Sequence, residues 1–115
     1  MRRLQVLAIA GAAAIAACGG GDESTMVSVY ANTGAVQCTG GGLTLSQQRA
    51  QLEQAGVTVH SASCGHDGIP VPAVCGASAG TIGIFGISSD QVALAANRGF
   101  ATLSSLPSAR AVPCS

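Results

Sequence analysis

Tryptophan and lysine are absent from this 115-residue chain, and its aromatic residues are Tyr30, Phe85 and Phe100. With five arginines against five acidic residues and no basic cluster, nothing is placed to neutralise a phosphate backbone, so nucleic acid is not an expected partner. With three aromatics, a core has to be assembled from Val, Ile, Leu and Ala, which is thin for a domain of this size. No Cys-x-x-Cys occurs, which argues against thiol exchange of the thioredoxin kind. Gly40-Gly41-Gly42 lacks the lysine and the spacing of a phosphate loop and reads as a flexible connection.

Long apolar runs are also few. Met1-Arg2-Arg3 gives a positive start, and from Val6 to Ala17 twelve successive residues are apolar or glycine. Twelve is short of the roughly 20 needed for a permanent membrane helix, so residues 1–17 read as a cleaved export signal and not as part of the fold. The run ends in Ile15-Ala16-Ala17-Cys18, which resembles the lipobox of bacterial lipoproteins: a branched apolar residue, two small residues and the cysteine that is lipidated. The resemblance implies that Cys18 is joined to diacylglycerol, becomes the first residue after cleavage and is acylated on its new amino group. Several acyl chains, at about 0.8 kcal/mol per buried CH₂, would make the anchor effectively permanent where one chain is marginal.

Residues 18–25 then form a glycine-rich tether with a root-mean-square reach of about 15 Å. In the lipoprotein class an aspartate directly after the cysteine tends to retain the product in the inner membrane; Gly19 stands there instead. The resemblance therefore implies a cell-envelope location, lipid-anchored at the outer membrane and facing the periplasm. Without residues 1–17 the chain keeps three arginines against five acidic residues, a formal charge of −2.

Residues 26–115 fit one small domain. Its four cysteines, Cys38, Cys64, Cys75 and Cys114, an even number in a small exported chain, predict two disulfides, with all three pairings open. The periodicity predicts a strand at Met26–Ala31, a helix at about 45–55 opened by the capping box Thr44-Leu45-Ser46-Gln47 and closed by Gly56, and a strand from Val57 toward Cys64. A central strand is predicted at Thr81–Ile87, with Val74-Cys75 able to pair with its start. A second helix is predicted at about 89–98 after the capping box Ser88-Ser89-Asp90-Gln91, and a last strand at Phe100–Leu106. The order β-α-β-β-α-β matches an α+β, ferredoxin-like fold: a four-stranded antiparallel sheet with two helices on one face.

One stretch has reactive residue types, Ser63-Cys64-Gly65-His66-Asp67-Gly68, with His60 before it and Cys75 after it. Cys64 and His66 could hold a metal or, with Cys75, a thiol-redox centre, but their spacing matches no standard site, and cysteines of an oxidising compartment pair. For nucleophilic catalysis by Cys64 with His66, only adjacent Asp67 could orient the base and nothing marks an oxyanion site. His60, in an alternating strand pattern, is expected to face solvent. The expectation is therefore a non-enzymatic binding or structural domain, with no cofactor, carried on a lipid anchor and recognising an envelope protein or a cell-wall partner. The alternative is a periplasmic metal-binding or thiol-redox module centred on Cys64, His66 and Cys75.

Overall fold

The computed structural model describes residues 25–114. The signal segment 1–17, Cys18 and the tether up to residue 24 lie outside the described residues, as does Ser115.

The chain forms an α+β fold: a five-stranded antiparallel sheet and two helices. The strand at the centre is β3 (Thr81–Ser88). It pairs on one side with β1 (Met26–Asn32) over the register Met26↔Ser88 to Asn32↔Ile82. On the other side it pairs with β2 (Ser61–His66) over Ser61↔Gly86 to His66↔Thr81. Two short strands extend the edges, β4 (Ala101–Thr102) beside β1 and β5 (Arg110–Ala111) beside β2, so the order is β4-β1-β3-β2-β5. Residues 82–87 of β3 are buried on both faces, as their unbroken apolar character predicts for a central strand.

Alternation along the strands divides the sheet into two faces. On one, Val29, Phe85 and Ile87 meet Leu52 of α1 (Leu45–Gln54) and Ala95 of α2 (Val92–Ala96) in a single buried cluster, which Val57, Val59 and Phe100 complete. Phe85 and Phe100 pack edge to face, with ring centroids 5.8 Å apart at 77°, the orientation that sets a positive ring edge on a negative face. Ile82 and Ile84 alternate with these residues and face away from the helices, yet they are 1% and 8% exposed. The segment 103–109 runs from the β4 edge to the β5 edge, with Leu103–Ser105 lying against β1 and Ser108 against Gly68.

Helix α1 begins and ends as its sequence predicts. Gln47 N–H donates to Thr44 Oγ1 (3.1 Å) and Thr44 N–H donates to Gln47 Oε1 (2.9 Å), the reciprocal capping box. At the other end Gly56 N–H reaches Glu53 O and Val57 N–H reaches Leu52 O, both at 3.0 Å, the double bond of a Schellman turn, with buried Val57 making its apolar contact.

Five expectations change. The sheet has five strands in place of four, because the C-terminal segment returns to pair with β2. The second helix is shorter than 89–98: a 3₁₀ turn at Ser89–Gln91 leads into five α-helical residues, and Ser88 makes no side-chain cap. Gln91, whose amide a capping box would use, instead accepts from Thr58 N–H (2.9 Å) and donates to Gly56 O (3.2 Å). The second strand starts at Ser61, since Val57–His60 descends from the helix end with Val57 and Val59 buried in the core, and it continues through His66. The last strand stops at Thr102 and gives way to a 3₁₀ turn. The segment after Val74-Cys75 also pairs elsewhere: Gln37 N–H donates to Ala77 O (2.8 Å) and Ala79 N–H to Ala35 O (3.0 Å), joining it to the loop after β1.

Candidate functional site

All four cysteines of the domain are consumed in pairs. Cys38 is bonded to Cys75 and Cys64 to Cys114, closing sequence separations of 37 and 50 residues. The first joins the loop 33–44 to the loop 67–80, and the second fastens the returning C-terminal segment to β2. Cys64 and Cys75 therefore sit in different bridges, so neither offers the thiolate that a metal or redox centre on Cys64, His66 and Cys75 requires. Among the described residues no three His, Cys, Asp or Glu side chains gather as a metal group.

His60 is exposed and lies just before β2, while His66 ends that strand. The two histidines are thus at opposite ends of the sheet. Gly68 N–H donates to His66 Nδ1 (2.9 Å). Asp67 Oδ1 approaches the same nitrogen at 3.8 Å. Asp67 is 8% exposed and accepts from Ile69 N–H (2.9 Å), an Asx turn that shapes the loop.

His66 stands at the mouth of a groove of about 720 Å³ between the helix face of the sheet, the start of α1 and the C-terminal tail. Thr81 and Gly83 of β3 lie on its floor, Gly40–Gly42 and Thr44–Ser46 form one wall, and Arg110 with the Cys64–Cys114 bridge forms the other. Gly42 is required in its wall: at φ +79° it lies in the left-handed region, and a Cβ there would stand 2.6 Å from Ala35 N and 2.7 Å from Thr33 O.

Gln48 marks the inner end of the groove. It is 1% exposed on α1, its Nε2 donating to Ala31 O (3.0 Å) and Asn32 O (3.4 Å). Its Oε1 lies over Gly83, where a Cβ would collide with it, and has no hydrogen-bond partner among the described residues. A buried amide oxygen without a donor costs about 1–3 kcal/mol.

Among the described residues no carboxylate side chain lines the groove. Gly41, Gly42, Leu45 and Ser46 are among its lining residues, and their backbone N–H groups find no acceptor among the described residues. Arg110 is exposed and forms no ion pair among the described residues. The start of α1 adds the partial positive charge of a helix N-terminus.

Neither Gln48 nor Arg110 emerges from sequence motifs. Gln48 had one available signal, a polar residue three after Leu45 and four before Leu52, on the buried stripe of the helix. Gly83 had another, since a glycine inside a strand marks a close approach of something else. No family model matches this chain, and neither a curated protein nor a solved structure matches it.

Proposed function

We propose that this protein is a lipid-anchored envelope protein, lipidated at Cys18 and held at the outer membrane facing the periplasm. Its small non-enzymatic domain binds an envelope protein or a cell-wall partner. The observation that carries the reading is the cysteine count: four of the five cysteines bond to one another, and the fifth is the one that stands in Ile15-Ala16-Ala17-Cys18. Two disulfides suit an oxidising compartment, to which the same segment directs the chain.

The body of the domain is, on this reading, a ferredoxin-like βαββαβ unit with a fifth strand added. The order β4-β1-β3-β2 with every neighbour antiparallel supports it, because two interleaved βαβ crossovers give that order. The tether enters at Met26, and the groove opens beside Asn32, Thr81 and His66 at the other end of the strands. Seven residues of β1 at roughly 3.4 Å each separate the ends by about 20 Å, so the groove faces away from the membrane and toward a partner.

Intact-mass analysis of protein purified from membranes tests the anchor. The expected product begins at Cys18 and carries acyl mass, and Cys18→Ser abolishes that mass. A soluble product cleaved at another site would overturn the proposal.

A further inference from the structure

We propose that Cys38–Cys75 is an exchangeable disulfide, opened by a dithiol while Cys64–Cys114 stays closed, and that its opening separates the wall of the groove from the loop 67–80. The inference goes beyond the binding role and does not depend on the anchor. Two features set this bridge apart. Both its cysteines are exposed, beside exposed Thr39, Val74 and Gly76, whereas Cys64 is half-buried within β2. Cys38 is also the one non-glycine among the described residues with a positive φ, +78°, in the left-handed region that a Cβ disfavours. Exposed or strained disulfides are the more readily reduced ones. Segments 33–44 and 68–80, which the bridge joins, contain no charged residue, so neither repels an attacking thiolate.

In the exchange, a thiolate of the dithiol attacks one Sγ and the Cys38–Cys75 S–S bond breaks. The other sulfur leaves as a thiolate and takes a proton. The second thiol of the reagent then releases the first protein sulfur from the mixed disulfide. Two electrons thus pass to the bridge, two protein thiols form and the reagent becomes a disulfide. Opening leaves the core intact, since no member of the buried cluster lies in 33–44 or 68–80. The hydrogen bonds left between the loops are Gln37 N–H to Ala77 O (2.8 Å), Gly76 N–H to Gln37 O (3.1 Å) and Ala79 N–H to Ala35 O (3.0 Å). The Gln37 side chain adds Nε2 to Pro72 O (3.0 Å) and to Ser78 O (3.2 Å). Hydrogen bonds with so few buried apolar contacts around them open locally, without the rest of the fold. Gly40–Gly42 begin two residues after Cys38 and form a wall of the groove, so release of the bridge frees that wall from the opposite loop.

The test incubates the full exported chain, oxidised and under native conditions, at graded ratios of reduced to oxidised dithiothreitol, traps free thiols with N-ethylmaleimide and maps the label by mass. Cys38 and Cys75 should take label together at a ratio at least tenfold lower than Cys64 and Cys114, a gap of about 30 mV or more. The rate of their opening should not change in urea below the unfolding transition. Hydrogen exchange of the half-reduced protein should show lost protection at Gln37, Gly76 and Ala79 and retained protection along the β1–β3 ladder. Transfer into oxidised dithiothreitol should restore the same pairing. Both bridges opening at one ratio overturns the proposal, as does Cys64–Cys114 opening first. A rate that climbs with urea overturns it too, because the bridge would then be reached only by unfolding. Unchanged exchange after selective reduction overturns the release of the wall. None of these readouts involves Cys18, so their failure leaves the proposed anchor untouched and loss of the anchor leaves them unchanged.

Discussion

The two ends of this domain are held together by different forces. In the body, Val29, Leu52, Phe85, Ile87, Ala95 and Phe100 are at most 1% exposed and exclude water between the sheet and both helices. At the end beyond Asn32 and His66, Ile69, Val71 and Val74 are 45–50% exposed, and the loops are joined by Cys38–Cys75 and by backbone hydrogen bonds between 35–37 and 76–79. The difference teaches where a core with few aromatics runs out. Beyond the last buried layer the chain depends on covalent and main-chain links, and the groove is built among those links.

Reduction should break the comparison most visibly. Closing loops of 37 and 50 residues restricts the unfolded chain by about 4 kcal/mol each on the loop-entropy account, and the pair is comparable with a total stability of about 5–15 kcal/mol. Reduced protein is expected to melt at a sharply lower temperature. The separate variants sharpen the point: Cys38→Ala with Cys75→Ala should lose amide protection first at 35–37 and 76–79. Cys64→Ala with Cys114→Ala should instead loosen β5 and uncover Ile82 and Ile84. Uniform loss of protection in both variants would show that the two ends are one cooperative unit.

A body mutation comes next in size. Phe85→Ala removes the ring at the centre of the shared cluster and should cost about 3–5 kcal/mol, read as a lower urea midpoint at unchanged slope. The whole domain should unfold with it, in contrast to the local opening expected of the Cys38–Cys75 variant. Gly83→Ala probes the boundary between the two regions. The new methyl meets Gln48 Oε1, and overpacking of this kind costs typically about 1–3 kcal/mol. Combined with Gln48→Ala the cost should fall well short of the sum, since the two groups touch.

The same division governs how much of the molecule was legible. The body could be read because its signals are periodic and local: Val27-Ser28-Val29-Tyr30-Ala31 alternates, Thr81–Ile87 is apolar on both faces, and Thr44 and Gln47 cap within one turn. The groove end could not, because it is made by contacts distant in sequence. Nothing near Arg110 announces that its strand will join β2, and Cys64 pairs with Cys114 across a separation of 50 residues. Segment 76–79 bonds to 35–37 and not to β3, next to the Cys38–Cys75 link. Even Gln48 becomes informative only once Gly83 is known to lie beneath it.

The smallest effect discriminates between two sequence signals that look alike. Thr44-Leu45-Ser46-Gln47 and Ser88-Ser89-Asp90-Gln91 have the same form, yet only the first makes both bonds of a capping box. Thr44→Ala should therefore cost about 1 kcal/mol, the usual size for a lost N-cap, whereas Ser88→Ala should stay within about 0.5 kcal/mol, as for a substitution that removes no such feature. The reason lies in Gln91. Its amide group is engaged by Thr58 N–H and Gly56 O, and a side chain that ties two segments together is not available to close a turn on itself. Gln91→Ala should accordingly destabilise more than Ser88→Ala, by roughly the 0.5–1.5 kcal/mol of a net hydrogen bond, and should reduce amide protection at Thr58 and not at Asp90. Equal costs for Thr44→Ala and Ser88→Ala in urea titrations would mean that the second helix is capped in solution after all.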